Sequence, residues 1–144
     1  MNRILLALAV GVVAGAGGMT LAHHDDKPKL NRKVVSERDI AEKLDGKEAK
    51  ATVVEVTLEP GQEGDPHRHP GPVFGYVLEG EYEHAINDDP AKVLKTGETF
   101  YEPTGALHRV SKNPSAKMKT RILAVILHSR DAKQIAVPEP PKKQ

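Results

Sequence analysis

Two histidines one residue apart, in His67-Arg68-His69, and a third at His108 are the side chains best suited to chemistry in this sequence. On an extended backbone, residues two apart leave the same face, about two strand rises of roughly 3.3 Å from each other. That span suits two adjacent positions around one ion. A third imidazole, brought from a neighbouring strand through the Pro103-Thr104-Gly105 turn, would complete a set of three. Imidazole nitrogens suit Zn, Cu, Fe and Ni, and geometry rather than affinity decides among them. Exposed strand histidines produce the same His-x-His pattern, so spacing by itself leaves a metal site and a plain surface pair both open.

Composition narrows the alternatives. The chain has 144 residues, no Cys and no Trp. A disulfide scaffold, a thiolate metal site, a cysteine nucleophile and lipid attachment through an N-terminal Cys are therefore excluded. Basic residues number 21 and acidic residues 20. Without residues 1–22, whose only charge is Arg3, the balance becomes 20 against 20. A neutral chain has neither the basic footprint of a nucleic-acid binder nor a polybasic membrane patch. The three Tyr and two Phe all fall between Phe74 and Tyr101, so a ligand-lined interior is expected along that stretch. Tyr76 and Tyr101 are candidate cavity-lining phenols, able to donate to a bound carboxylate, with ordinary packing as the alternative.

The elements that must position these groups are strands. Thr52–Leu58 is β-branched and ends at Pro60-Gly61, and Val73–Leu78 is an apolar run closed by Glu79-Gly80. Glu81–Ile86 alternates, with Tyr82, His84 and Ile86 on one face. That face makes His84 a candidate fourth ligand, or a group that orients a ligand imidazole. Short strands follow at 92–95, 99–102 and 107–111, and Thr120–Leu127 is apolar on both faces, as a central strand is. Ahead of these, Ser36 with Asp39 suggests a short helix or loop through Ile40–Leu44, stopped by Asp45-Gly46. Strands at this spacing, punctuated by Gly and Pro, predict a β-sandwich or barrel.

The two ends read differently. Met1-Asn2-Arg3, an uncharged run to Ala22 and small residues at 20 and 22 form a secretory signal peptide, with cleavage expected after Ala22. The protein is thus expected to be periplasmic or secreted, without stable membrane association after cleavage. His23-His24 would open the mature chain as a solvated tail. Residues 138–144, rich in Pro and Lys, read as a disordered or polyproline-like tail.

Two segments, Gly61 to Gly80 and Gly97 to His108, resemble the paired motifs of the cupin superfamily. The first motif is a Gly, five residues, His-x-His, a Glu after three or four residues, and a Gly after six more. Gly61, His67, His69 and Gly80 match it. The second is a Gly, five residues, Pro-x-Gly, two residues, a His, three residues, an Asn. Gly97, Pro103, Gly105 and His108 match that one, and the resemblance covers about residues 50–128. Two departures stand out: Val73, followed by Phe74, occupies the position of the Glu, and the Asn comes one residue late, at Asn113.

The resemblance implies an all-β, single-domain cupin-type jelly-roll barrel over residues 51–130. A signal peptide (1–22) and an N-terminal extension (23–50) would precede it, and a C-terminal tail (131–144) would follow. It implies His67, His69 and His108 as ligands to one divalent transition metal (Fe, Mn, Ni, Cu or Zn), without the usual carboxylate. Three neutral imidazoles would leave the ion its full charge, favouring an anionic co-ligand and acidifying bound water. The expected function is that of an exported metal-binding cupin acting as a dioxygenase-like oxidoreductase on a small anionic or enol-type molecule. The alternative is a non-catalytic periplasmic binder of a small molecule or metal. Small cupins also resemble one another in pairing barrel edges, so a homodimer is expected.

Overall fold

A computed structural model describes residues 29–140. The expected signal peptide, its cleavage after Ala22 and the His23-His24 pair lie outside the described residues. Those residues contain ten strands and no helix: β1 (Asn31–Leu44), β2 (Lys47–Leu58), β3 (His67–Arg68), β4 (Val73–Glu79), β5 (Glu81–Ile86), β6 (Lys92–Lys95), β7 (Thr99–Glu102), β8 (Leu107–Lys112), β9 (Thr120–Ser129) and β10 (Val137–Pro138). They form two five-stranded antiparallel sheets, ordered β1-β2-β9-β4-β7 and β10-β3-β8-β5-β6. This is the expected all-β jelly roll.

Strand β9 is central, as its two apolar faces predicted, and lies between β2 and β4. Its inward residues Ile122, Ala124 and Ile126 join Val54, Leu58, Val73, Val77, Tyr82 and Phe100 in the core. Directly opposed residues of an antiparallel pair share a face, so the core is built in rows across the first sheet. One row runs Val34, Val54, Ala124, Gly75, Phe100, and the next runs Thr52, Ile126, Val73, Glu102. Gly75 has no side chain because the ring of Phe100 fills the space a Cβ would take.

The helix or loop expected at 36–44 is instead the second half of β1. Leu44 pairs with Lys47 across a two-residue turn, and Asp45 and Gly46 both have positive φ, 51° and 76°. Asp-Gly with two positive φ values is a hairpin turn whose twist matches its strands. Pairing with the whole of β2 outweighs the weak helix-start signal at Ser36 and Asp39.

The tail also differs from expectation. Val137 and Pro138 pair with Arg68 and His67 of β3, and the Glu139 amide donates to the Pro66 carbonyl. Arg68 points away from the two histidines, and its Nε lies 2.7 Å from the Glu139 carboxylate. A two-residue ladder and one ion pair thus hold residues 137–139 against the barrel. Asn113, the late motif residue, is fully buried. Its amide donates to the carbonyls of Leu58 and Met118, and its side-chain oxygen accepts from the Ser115 amide. It staples the end of β2 to the loop before β9.

Candidate metal centre

His67 stands on β3 directly opposite His108 of β8, and His69 follows two residues on. All three are nearly buried, at 8%, 9% and 4% exposure. Their ligand atoms lie within 4.8 Å of one another, so the structure brings together the set that the spacing suggested.

Hydrogen bonding fixes two of these rings. His67 Nδ1 donates to the Asp65 carbonyl at 2.8 Å, and His69 Nδ1 donates to the Ile135 carbonyl. A carbonyl can only accept, so each Nδ1 carries a proton, and in a neutral ring so held Nε2 is the free lone pair. Those two Nε2 atoms face each other at 3.1 Å. Two lone pairs at that distance repel unless a cation stands between them or beside both. Burial lowers the pKa of His67, which favours its neutral ring and keeps its Nε2 free to accept or to ligate. An ion with metal–nitrogen bonds of about 2.0–2.1 Å fits the separation.

The missing carboxylate is present at another position. Glu102 of β7 is the cross-strand partner of Val73. Its side chain enters the same space from the neighbouring strand and is 2% exposed. The family position itself still holds Val73, and the structure sets the Glu102 carboxyl beside the histidines from across one strand. Glu102 lies 3.2 Å from His108 Nδ1 and 3.5 Å from His69 Nε2. Glu102, His84 and His108 form a second group able to hold an ion. Glu102 Oε2 and His108 Nδ1 are buried without a hydrogen-bond partner. Orphaned atoms of this kind in a nitrogen- and oxygen-rich cluster are what a bound cation would satisfy. The residues fit a divalent transition metal.

His84 stands behind Glu102, with Nε2 3.3 Å from Oε1, where it orients the carboxylate rather than touching the His67–His69 pair. Burial by itself would push the Glu102 carboxyl up. The His84 hydrogen bond and the neighbouring histidines outweigh it and hold the group below the usual carboxylate range. Burial takes His108 down to about 3. At neutral pH His67 and His108 are thus neutral and Glu102 is an anion, the protonation states that metal binding needs. Tyr82, fully buried, bonds Ser111 Oγ at 2.9 Å and approaches His108 Nε2 at 3.3 Å. Its phenol is pushed up by burial and stays protonated. His128, by contrast, is satisfied by Thr52 and its own strand and takes no part.

These shifts carry a pH consequence for the metal-free protein. Unfolded histidines take up a proton near 6.5, while the folded ring of His108 does so only near 3. Between those values the unfolded state holds more protons, so acid favours unfolding. His67 and Glu102, both lowered, act in the same direction. The chelator-treated protein is expected to keep its full stability above pH 6.5 and to lose it progressively toward pH 3, measured as a falling thermal midpoint. A flat profile across that window would contradict these protonation states.

The centre opens on a cavity of about 120 Å³ lined by Val54, Val56, Ile122, Ala124 and Ile126 together with the metal-site residues. Tyr76 and Tyr101 do not line it. Val73, Gly75 and Val77 face inward on β4, so Tyr76 faces out, and Phe100 and Glu102 likewise turn Tyr101 outward on β7. The two tyrosines are 43% and 51% exposed, and Tyr101 borders a separate depression beside Lys92. Tyr82 supplies the inward phenol instead.

The Cupin domain family matches residues 54–126. No curated protein matches the chain in sequence. Among solved structures it is similar to an uncharacterized conserved protein with a double-stranded β-helix domain from Klebsiella pneumoniae. That protein is 24% identical with a TM-score of 0.59, over 78% of this chain and 87% of that one. A cupin superfamily protein from Desulfitobacterium hafniense is 13% identical with a TM-score of 0.56, over 72% of this chain and 81% of that one. An oxalate oxidase in complex with the substrate analogue glycolate is 25% identical with a TM-score of 0.50, over 56% of this chain and 43% of that one. With the motif histidines converging inside a jelly roll and the family match spanning half its length, the chain belongs to the cupin family.

Proposed function

We propose that this cupin is an exported protein that holds one divalent transition metal through His67, His69, His108 and Glu102 and acts on a small organic anion as a dioxygenase-like oxidoreductase. The carrying observation is the pair of histidine Nε2 atoms facing each other at 3.1 Å, beside a buried carboxylate with an unpartnered oxygen. A bound ion of this class supplies Lewis acidity toward an anionic or enol-type ligand and lowers the pKa of coordinated water.

The chain's own residues supply the rest. Backbone carbonyls of Asp65 and Ile135 fix the ring orientations of His67 and His69. His84 keeps Glu102 ionised and aimed at the cluster. Tyr82, protonated and held by Ser111, offers one phenolic hydrogen beside His108. The valine and isoleucine walls exclude water and suit an organic ligand. The likeness to an oxalate oxidase that binds glycolate favours a small carboxylate. Export rests on the signal-peptide pattern of residues 1–22.

The test is metal analysis of untagged mature protein, residues 23–144, purified from its native compartment, beside His67→Ala/His69→Ala. About one equivalent in the native chain and almost none in the double variant is expected. The identity of the metal then selects substrates for oxygen-uptake assays. No metal in the native chain and no tight uptake on reconstitution would overturn the reading and leave a non-catalytic binding barrel.

A further inference from the structure

At its exposed edge strand β1 the first sheet carries one charged side chain in a cross-strand row that is otherwise apolar. Leu30, Arg32 and Val34, two residues apart around the start of β1, all line the cavity. Arg32 pairs with Val56, Val56 with Ile122, and Ile122 with Val77. Arg32 therefore stands where an aliphatic residue would continue the row. Among the described residues no carboxylate pairs with Arg32, whereas Arg68, Arg121 and Arg130 all have acidic partners.

The position of this guanidinium has a chemical meaning. β1 and β7 are the opposite edges of the sheet, so Arg32 and Glu102 lie at opposite sides of the cavity with apolar wall between them. A guanidinium without an acidic partner among the described residues, at the mouth of a greasy channel, suits a ligand with an anionic head and a short apolar body. A neutral ligand of the same size would leave Arg32 as it is and gain only the apolar contact.

From this we infer that Arg32 is a specificity-determining residue, which selects small amphipathic carboxylates by pairing with their anionic head while the body extends along Val56 and Ile122 toward the histidines. The inference deepens the metal-centre reading by naming the ligand class, but it rests on a different residue. Its failure can therefore be told apart from failure of that reading.

The probes are hexanoate and hexan-1-ol, of equal chain length and different charge, titrated calorimetrically into the full mature chain. Each titration is run metal-loaded and after chelator treatment, on wild type, Arg32→Gln and Arg32→Lys. Wild type is expected to prefer hexanoate by about tenfold or more, with the preference shrinking as salt is raised. Arg32→Gln should lose that preference while keeping its affinity for hexan-1-ol, its metal content and its unfolding midpoint. Arg32→Lys should recover part of the preference. Equal hexanoate binding by wild type and Arg32→Gln would overturn the inference. In the metal-loaded protein that result would place the carboxylate on the ion and leave the metal reading standing. Absence of hexanoate binding by wild type would overturn it as well. An Arg32-dependent preference in a protein that takes up no metal would support the inference and sink the metal reading.

Discussion

Replacing Glu102 with Gln is expected to weaken metal binding by about 100-fold or more, with little change in the fold. The amide keeps the size of the side chain, and its oxygen can still accept from His84. What disappears is the negative charge that offsets the ion in a space only 2% exposed. Loss of a group that merely orients a ligand costs about 10–100-fold in affinity, and loss of a direct ligand costs at least as much. Chelator competition would measure it, with the metal-free thermal midpoint as the control for folding. Unchanged affinity would show that the carboxylate only spectates. The cross-strand register makes a sharper test possible. Because residues 73 and 102 face each other, Val73→Glu combined with Glu102→Val returns an acid to the same space from the other strand. The double variant is expected to recover affinity to within about tenfold of wild type. Recovery would establish that the centre needs a carboxylate in this volume, whichever strand delivers it.

The second large effect concerns Gly71, two residues beyond His69. A Cβ there would lie 1.8 Å from the Leu127 carbonyl oxygen and 2.9 Å from its carbon. Both atoms belong to the backbone of β9, which is bonded to β2 on one side and β4 on the other, so neither can step aside as a side-chain tip could. Gly71→Ala is expected to destabilise the protein by about 3 kcal/mol or more, through overpacking against a central strand. Urea unfolding would read the loss, and metal content would fall with it because Gly71 anchors the segment that carries His69. Gly46→Ala is the comparison. It has no atom within 4 Å, only a positive φ, and should cost about 1 kcal/mol. Equal costs at the two positions would refute the close approach at Gly71.

The contrast between what could and could not be read from the sequence has a physical cause. Alternation and Gly or Pro punctuation are local signals, and the bounds of β5, β6 and β7 follow from them directly. His67, His69 and His108 were legible because their spacing carries a family pattern. Glu102 was not, because its role depends on lying opposite Val73, and cross-strand register is absent from the sequence until the pairing is known. One clue was available: Phe100 must face the core, and a strand that turns Phe100 inward turns Glu102 inward too. The same alternation would have sent Tyr76 and Tyr101 outward. β1 was obscured because all but two of its residues are exposed, which leaves little apolar pattern to distinguish a strand from a weak helix. Docking of the tail depends on Arg68 meeting Glu139 across 71 residues of chain, a separation that no local window spans.

That docking sets an order of events for a chain made from its N-terminus. By residue 108 every ligand has been synthesised, yet the carbonyl that holds His69 belongs to Ile135, and the ladder that anchors it runs to Pro138. Contacts of such long sequence separation form late, since a large loop must close before they return any energy. A growing chain therefore has four candidate ligands but only a partly oriented set. A metal centre built on these side chains would mature after the barrel around it, and a nascent or clipped chain lacking the last strand is expected to exchange metal faster than the finished protein.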